Sequence, residues 1–279
     1  MQNIVYVAHS RDRDLKRARF SIINLQHFAK EIDHKHRIII YTDSPSFFSD
    51  LDIMVEEMDN VTISLWQGAR NSDERVRIMA ARDAFATYHG NLVLMQNEIF
   101  YLDNPSPLFL ELANSSSLMY EDVGPFANMG FDLPETITYQ TIEPYNKDAK
   151  KSLPAPDADA TLYNLGLVGI HESDRSLLKK ILCYHDALLA YLPDALAAGL
   201  AFSYVLGNNT LVQEANDWVD QYDKSKKSVD GLIQGFFREN ELVPIEVQPT
   251  EAWRLAHQFD GSAKFSEKNI MDLVREIIP

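Results

Sequence analysis

The sequence predicts an α/β fold in which helices flank a mainly parallel central sheet. Its first hundred residues alternate short apolar runs, typical of buried strands, with longer segments of helical periodicity. Strands that alternate with helices of this length favour a parallel sheet covered on both faces. No internal repeat or low-complexity linker interrupts the 279 residues, so we expect a single domain with insertions.

The composition indicates a globular protein that does not bind nucleic acid. Hydrophobic residues make up 46% and charged residues 24% of the chain. The formal charge of −15 would repel a polynucleotide. The single cysteine, Cys183, lies in a helical apolar pattern and fits a reducing compartment. With no signal-peptide pattern and no apolar run of the ~20 residues that span a bilayer, we expect a cytoplasmic protein, for which peripheral membrane contact stays open.

The first third of the chain carries the clearest elements. "NIVYVAH" (Asn3 to His9) and "HRIIIYTD" are predicted as buried strands, with a helix from about Asp12 to Ile32 between them. "VTISLWQ" is a third strand candidate. In "SDERVRIMAARDAFATYHG", Ser72 is a plausible N-cap and Gly90 closes the helix, and the strand "NLVLM" follows at once.

The rest of the chain is less regular. Residues Ser106 to Leu162 read as a loop-rich excursion with a β-hairpin around "ETITYQTIEPY", and "TLYNLGLVGI" returns to strand character. A short strand is predicted at "ELVPIEVQP" and an amphipathic helix at the C-terminus. Three further helices are predicted, at Ser173 to Leu192, Asp194 to Leu206 and near Val212 to Tyr222.

Polar residues follow several of the predicted strands. His9, Asp43 and the turn Gln96–Glu98 each stand where a strand ends. In parallel sheets, ligands bind beyond the carboxyl ends of the strands. This convergence is the first indication of a functional site.

The stretch "NLVLMQNEIFYLDNP" is the most informative one. Four apolar residues lead into Gln96, Asn97 and Glu98, and a second short strand follows. A carboxylate at a strand end is well placed to bind a hard divalent cation. A polar turn after a strand explains the same three residues equally well.

Two further segments contain candidate ligands. "AHQFDGSAKF" supplies His257 for a metal, Gly261 for close backbone approach and Lys264 as a point charge for a diphosphate, although a surface loop also accounts for it. In "YNLGLVGI", Asn164 and Gly166 suit a sugar hydroxyl or, equally, a β-bulge.

One candidate arginine precedes the stretch "NLVLMQNEIFYLDNP". Arg82, on the helix before it, is a candidate cation for a ligand phosphate. Its alternative is a solvated helix face, and Arg75 and Arg77 are equally available for the same role.

Taken in order, these pieces resemble the nucleotide-sugar-dependent glycosyltransferases of the GT-A fold. The resemblance is closest to the glycogenin and bacterial lipopolysaccharide-galactosyltransferase group, called family eight. That group has a first strand ending at the nucleotide base, a helix carrying an Arg, and an apolar strand ending in Asp-Xaa-Asp. An Asn-Xaa-Gly segment, a helix pair and His-Xaa-Xaa-Gly-Xaa-Xaa-Lys follow. The runs here are "NIVYVAHS", "NLVLMQNEIFYLDNP", "YNLGLVGI" and "HQFDGSAK".

The resemblance implies a transferase that moves a sugar from a nucleoside-diphosphate donor, usually a uridine one, to a glycan or lipid-linked acceptor. It implies Mn²⁺ or Mg²⁺ on the diphosphate, a nucleotide-binding half (1–105), and an acceptor half whose C-terminal segment contacts the donor (106–279). The implied metal positions are Gln96, Glu98 and His257. The implied donor-binding positions are Ala8, His9, Arg82, Gln96, Asn97, Asn164, Gly166, Gly261 and Lys264.

The sequence departs from the family pattern at three places. Gln96 replaces an Asp, which lowers the ligand charge and should weaken metal binding. One extra residue separates His257 from Gly261. The Asp-Gln pair of retaining members falls on Leu192 and Pro193, leaving Asp194 as the candidate catalytic residue.

Two other function classes were weighed. A non-catalytic GT-A-like scaffold that binds a glycan or protein partner is the alternative reading of the altered turn. A dinucleotide-dependent oxidoreductase is disfavoured because "HSRDRDLK", directly after the first strand, contains no glycine for a pyrophosphate turn.

Overall fold

The computed structural model describes residues 1–28, 35–114, 116–140, 150–221, 226–241 and 243–259. The strands in these ranges are β1 (Gln2–Ala8), β2 (His36–Thr42), β3 (Met54–Glu57), β4 (Asn91–Met95), β5 (Ile99–Tyr101), β6 (Ser117–Pro125), β7 (Thr136–Gln140), β8 (Lys150–Pro154), β9 (Thr161–Ile170), β10 (Val212–Glu214) and β11 (Val219–Gln221).

Helices separate most of these strands. They are α1 (Asp12–Gln26), α2 (Asn60–Gln67), α3 (Asp73–Thr87), α4 (Ser106–Ala113), α5 (Leu177–Leu188), α6 (Asp194–Gly207), α7 (Lys226–Glu239) and α8 (Gln248–Phe259). Within the described ranges, none of these helices is long and apolar enough to cross a bilayer.

A seven-stranded sheet forms the centre of the described structure, in the order β10-β6-β9-β4-β1-β2-β3. The pairs β10–β6, β4–β1, β1–β2 and β2–β3 are parallel, whereas β9 runs antiparallel to both of its neighbours. The predicted α/β fold with a mainly parallel sheet flanked by helices is therefore confirmed. The first half of the predicted hairpin forms β7, which pairs antiparallel with β8, a strand beyond the predicted segment, and residues 141–149 lie outside the described residues.

The core lies on both faces of this sheet because side chains alternate along each strand. On β1, Ile4 and Tyr6 belong to one buried cluster, whereas Val5 and Val7 belong to the other. Helices α1, α4, α7 and α8 cover the first face, and α2, α3, α5 and α6 cover the second. Both strands at the centre, β1 and β4, are buried along their whole length, which fixes the positions of their carboxyl ends.

The prediction of a strand at "VTISLWQ" was wrong, because this segment forms α2. Asp59 is the N-cap of this helix, and its side chain accepts a hydrogen bond of 2.7 Å from the backbone N–H of Thr62. The β-branched residues that suggested a strand have a weak preference, which capping and packing override here. The third parallel strand is β3, a short and partly exposed segment earlier in the chain.

Three predictions in the second half were also wrong. The segment near Val212 to Tyr222 forms β10 and β11 in place of a helix, because each short strand pairs with a distant partner, β6 and β5 respectively. In "ELVPIEVQP", residues 243–247 form bends and turns and Gln248 and Pro249 begin α8, in place of a strand, while residue 242 lies outside the described residues. The excursion after Ser106 contains α4 and β6, and β6 joins the central sheet.

Candidate functional site

A cleft of about 500 Å³ opens at the carboxyl ends of β1 and β4. The turn after β1, the first turns of α1 and α3, the turn after β4 and the start of α6 form its walls. We call it the strand-end cleft. Its volume lies within the roughly 300–1,000 Å³ of sites for small molecules, and three helix N-termini border it, which favours an anionic ligand.

The turn after β1 brings the N-terminus of α1 to the cleft. Ser10 has φ +65, a left-handed conformation that is uncommon for a residue with a side chain. Its backbone N–H donates to Oδ2 of Asp43 at 2.8 Å, and its Oγ lies 3.0 Å from Nδ1 of His9. Asp43 therefore holds this turn from the end of β2, while His9 lines the cleft.

Glu98 is paired with a buried arginine at the cleft. The guanidinium of Arg17 donates to Oε1 of Glu98 at 2.6 Å and to both carboxylate oxygens of Asp230 at 2.7 Å. The Arg17 side chain is only 2% exposed. A charge buried to this extent is tolerated because it is paired and hydrogen-bonded. The turn after β4 is thus tied to α1 and, through the same side chain, to α7.

Gln96 takes part in a chain of amide side chains. Its Oε1 accepts a hydrogen bond of 2.9 Å from Gln221, and Oε1 of Gln221 accepts one of 2.8 Å from Asn164. Oδ1 of Asn164 accepts from the backbone N–H of Gly166 at 2.9 Å. A Cβ at Gly166 would lie 2.7 Å from Cδ1 of Ile99, so this glycine permits close packing of β9. Asn164 and Gly166 therefore order the strand behind the turn.

Two buried polar atoms belong to residues that line the cleft and are unpaired among the described residues. They are Nε of Arg77 and Oδ1 of Asn97. Arg77 also donates to Glu74 at 2.6 Å, and Nδ2 of Asn97 donates to the Val7 carbonyl at 3.0 Å. A buried donor or acceptor without a partner costs about 1–3 kcal/mol and calls for a ligand or another explanation.

The cleft is electrically balanced although the chain is strongly acidic. Its lining includes four arginines and four carboxylates, whereas the whole chain has a formal charge of −15. They are Arg11, Arg13, Arg17, Arg77, Asp14, Asp73, Glu74 and Glu98. This local enrichment in guanidinium groups offsets the repulsion that the rest of the surface exerts on an anion.

Asp194 joins the N-terminal ends of α3 and α6 beside the cleft. Its carboxylate accepts from Oγ of Ser72 at 2.6 Å and from the backbone N–H of Glu74 at 3.3 Å, and lies 3.0 Å from Nε2 of His185. Burial raises the pKa of Asp194, but these hydrogen bonds outweigh burial, and the pKa lies below its ordinary value. Asp194 does not line the cleft, although Ala195 does.

His185 is the buried partner of Asp194. Its side chain is 0% exposed and also lies 3.6 Å from the carboxylate of Asp186, which Arg75 contacts at 2.8 Å. Burial lowers the pKa of His185, but the two carboxylates outweigh that effect and raise it above its ordinary value. These contacts favour a protonated imidazole that holds two helix starts together.

The described residues do not fit a divalent-cation site at this cleft. Oε1 of Glu98 is already bound to Arg17, the side-chain Oε1 of Gln96 accepts from Gln221, and His257 does not line the cleft. No group of three His, Cys, Asp or Glu side chains within the described ranges could hold a metal ion. A hard cation takes about six oxygen ligands and prefers carboxylates, and Glu98 is the only carboxylate among the three predicted metal positions. We therefore assign no step to a metal ion.

The other predicted site residues lie as follows. Ala8 is buried at the end of β1, and Arg82, on α3 beyond Arg77, contacts Sδ of Met79 and does not line the cleft. His257 is exposed on α8, with Nδ1 3.0 Å from the carbonyl oxygen of Trp253. Gly261 and Lys264 lie outside the described residues and stay predictions. His9, Gln96, Asn97 and Glu98 do meet at the cleft.

Sequence reasoning overlooked most of the basic side chains at the cleft. Arg11, Arg13 and Arg17 belong to "RDRDLKR", a stretch whose charges read as a solvated helix face. Its place directly after the first strand was the available signal, because that position puts a first helical turn at the ligand edge of the sheet. For Gln221 the sequence held no signal, since β11 pairs with β5 only in the folded chain.

No protein-family profile matches this sequence, and no curated protein matches it. The chain is similar to several solved structures, among them one described as a glucose-1-phosphate thymidylyltransferase from Bacillus anthracis. The two sequences are 13% identical, the match covers 84% of this chain and 95% of that chain, and the TM-score is 0.42. HddC from Yersinia pseudotuberculosis matches with 10% identity and a TM-score of 0.41, and the match covers 83% of this chain and 99% of that chain.

The galactosyltransferase LgtC, solved with donor and acceptor sugar analogues, matches with 13% identity. The match covers 72% of this chain and 70% of that chain, with a TM-score of 0.41. Identities of 10–13% and TM-scores of 0.41–0.42 do not establish a family or an activity for this chain.

Proposed function

We propose that this chain is a glycosyltransferase that moves a sugar from a nucleoside-diphosphate donor, with uridine the first candidate, to a hydroxyl group of a glycan or lipid-linked acceptor. The observation that carries the proposal is the strand-end cleft, where four arginines and two buried, unpaired polar atoms meet at the ends of parallel strands. The order of the motifs along the sequence supports the same class.

The chemistry requires stabilisation of a leaving diphosphate. The bond between the anomeric carbon and a phosphate oxygen breaks, its electron pair goes to the nucleoside diphosphate, and the acceptor oxygen bonds to that carbon as its hydroxyl proton passes to water. Negative charge grows on the diphosphate during this step. Guanidinium groups at the cleft stabilise that charge as it develops.

The unpaired atoms suit the polar groups of a donor. Nε of Arg77 can donate to a phosphate or sugar oxygen, and Oδ1 of Asn97 can accept from an N–H or O–H of the base or sugar. Each is half of a hydrogen bond that the protein itself leaves incomplete. A nucleotide sugar offers both complements within one molecule.

The first test is donor hydrolysis and binding with a matched pair of variants. We expect wild-type protein to release nucleoside diphosphate from at least one nucleotide sugar and to bind that diphosphate in calorimetry. Arg77→Met should weaken binding about tenfold or more, because a hydrogen bond to a charged group contributes about 1.5–3 kcal/mol. Arg175→Met removes an exposed arginine at the opposite edge of the sheet and should bind as wild type does.

Two results would count against the proposal. One is wild-type protein that neither hydrolyses any nucleotide sugar nor binds any nucleoside diphosphate. The other is equal weakening by Arg77→Met and Arg175→Met, which would assign the effect to overall charge and remove Arg77 from the site.

A further inference from the structure

We propose that the strand-end cleft binds the diphosphate of its donor without a divalent metal ion, and that Arg11, Arg13 and Arg77 supply the positive charge. We call these three residues the phosphate-binding arginines. The inference rests on the proposed function and deepens it, since it concerns how the same site holds its ligand.

The carboxylate that a metal ion would need already has a cation. Glu98 accepts from Arg17 at 2.6 Å, and the same guanidinium holds Asp230 through two contacts of 2.7 Å. A metal ion that took Oε1 of Glu98 would displace Arg17 and leave this buried guanidinium with one charge-assisted hydrogen bond fewer. Arg17 therefore remains an internal cation that fixes the turn after β4.

Arg11 and Arg13 make longer contacts than Arg17 does, and their side chains are exposed. The two arginines are 61% and 51% exposed. Arg11 lies 3.8 Å from Asp14 and 3.6 Å from Asp73, distances beyond those of a hydrogen bond, and Nε of Arg13 donates to Oδ1 of Asp14 over a long 3.4 Å. Exposed ion pairs of this type contribute about 0–1 kcal/mol, so a phosphate group can replace them at little cost. These two side chains are available to a ligand.

Arg77 is the third member and the most buried of the three, with its side chain 11% exposed. Glu74 occupies one of its terminal nitrogens, and Nε has no partner among the described residues. A phosphate oxygen would complete its hydrogen bonding and add a charge-assisted contact. The first turns of α1 and α3 also border the cleft and add partial positive charge.

The experiment measures binding by isothermal titration calorimetry with UDP, GDP, ADP, CDP and dTDP as probes. Each titration is carried out in a chelator and again with Mn²⁺ or Mg²⁺ in excess. We expect at least one nucleoside diphosphate to bind, with dissociation constants that differ by less than about threefold between the two conditions, well below a tenfold change.

A double variant assigns the binding to the arginines and carries little risk of misfolding, because both side chains are exposed. Arg11→Met with Arg13→Met should weaken binding at least about tenfold in both conditions. The matched control, Arg175→Met with Arg254→Met, changes the net charge by the same amount on exposed residues outside the cleft lining and should bind as wild type does.

The outcomes separate this inference from the function on which it rests. Binding that occurs only with the divalent ion, or that the ion strengthens more than about tenfold, overturns the inference and leaves the proposed function standing. Binding that the Arg11 and Arg13 substitutions leave unchanged overturns it as well. If no probe binds in either condition, the inference fails, and the proposed function fails with it when no nucleotide sugar is hydrolysed either.

Discussion

At the scale of single residues, we expect Arg17 to contribute most to the free energy of unfolding, because it is almost fully buried and paired with two acids from distant parts of the chain. Its neighbour Lys16 lies on the same helix but pairs with Asp12 at the surface, 2.8 Å away. The two positions differ in solvent exposure more than in charge. Their contributions to the free energy of unfolding should differ accordingly.

Replacement of Arg17 should therefore lower stability strongly. We expect Arg17→Met to reduce the free energy of unfolding by about 3–5 kcal/mol, since Glu98 and Asp230 lose their partner. Lys16→Met should change it by no more than about 1 kcal/mol. Urea denaturation followed by circular dichroism measures both, and equal effects of the two substitutions would show that the Arg17 contacts contribute no more than a surface pair.

Polar residues directly after a predicted strand identified part of the cleft lining from the sequence alone. Gln96, Asn97 and Glu98 stand after an unmistakable buried strand, and all three line the cleft. The choice of Arg82 over Arg77 had no basis in sequence, because both lie on the same helix and only the rotation of α3 against the sheet decides which one lines the cleft. The role of Glu98 as the partner of Arg17 was equally invisible, since 81 positions separate the two residues.

At the scale of elements, the joined starts of α3 and α6 form one electrostatic unit. Ser72 caps α3 through Arg75 N–H at 2.8 Å and also donates to Asp194, the first residue of α6. Asp194 in turn contacts His185 on α5. Because the pKa of His185 is raised and that of Asp194 is lowered, the stability that this unit contributes depends on pH.

The direction of that dependence follows from linkage. A raised histidine pKa stabilises the fold below the ordinary value of 6.5, and this contribution is lost as pH rises through the folded-state pKa. A lowered aspartate pKa stabilises the fold above the ordinary value of 3.8 and is lost as pH falls through the folded-state pKa. Both contributions to stability are therefore present together between pH 3.8 and pH 6.5.

We expect His185→Gln to flatten the fall in stability on the alkaline side. Wild-type melting temperature should decline as pH rises above about 6.5 and His185 loses its proton, and the variant should decline less over the same range. His89→Gln, which changes a 99% exposed histidine, is the control and should keep the wild-type slope. Parallel slopes for wild type and His185→Gln would contradict a charged His185.

The elements that sequence predicted correctly are those with strong local patterns. Strand β1 is a continuous apolar run, and α3 carries its own N-cap in Ser72. The wrong predictions include α2, β10 and β11, which are short and take their conformation from capping or from distant partners. Local propensity decides little in segments of this length.

At the scale of the whole molecule, the C-terminal helices pack on the α1 side of the sheet. Phe236 of α7 contacts Phe20 of α1 edge to face, with ring centroids 5.4 Å apart. Asp230 of the same helix binds Arg17 through both carboxylate oxygens. The ion pair thus connects the docking of α7 with the turn that lines the cleft.

Loss of that ion pair should loosen α7 selectively. We expect Asp230→Asn to speed amide hydrogen exchange in α7 more than about tenfold, because the charge-assisted contact contributes about 1.5–3 kcal/mol. Helix α6, on the other face of the sheet, should exchange as in wild type. Glu239→Gln, which alters a surface pair on α7 with an N–O distance of 3.8 Å, is the control. Uniform acceleration across the chain would mean that Asp230 acts on global stability alone.

The sequence by itself determined the fold class, the buried strands at the centre of the sheet and the edge at which the cleft lies, because apolar periodicity and strand ends are local properties. Only the tertiary structure decided the antiparallel course of β9, the pairing of Glu98 with Arg17 and the arginines that line the cleft. Those features depend on which distant segments meet, and on whether a charge that meets its partner is buried or exposed. Burial separates Arg17, which holds the turn, from Arg11 and Arg13, which are available to a phosphate.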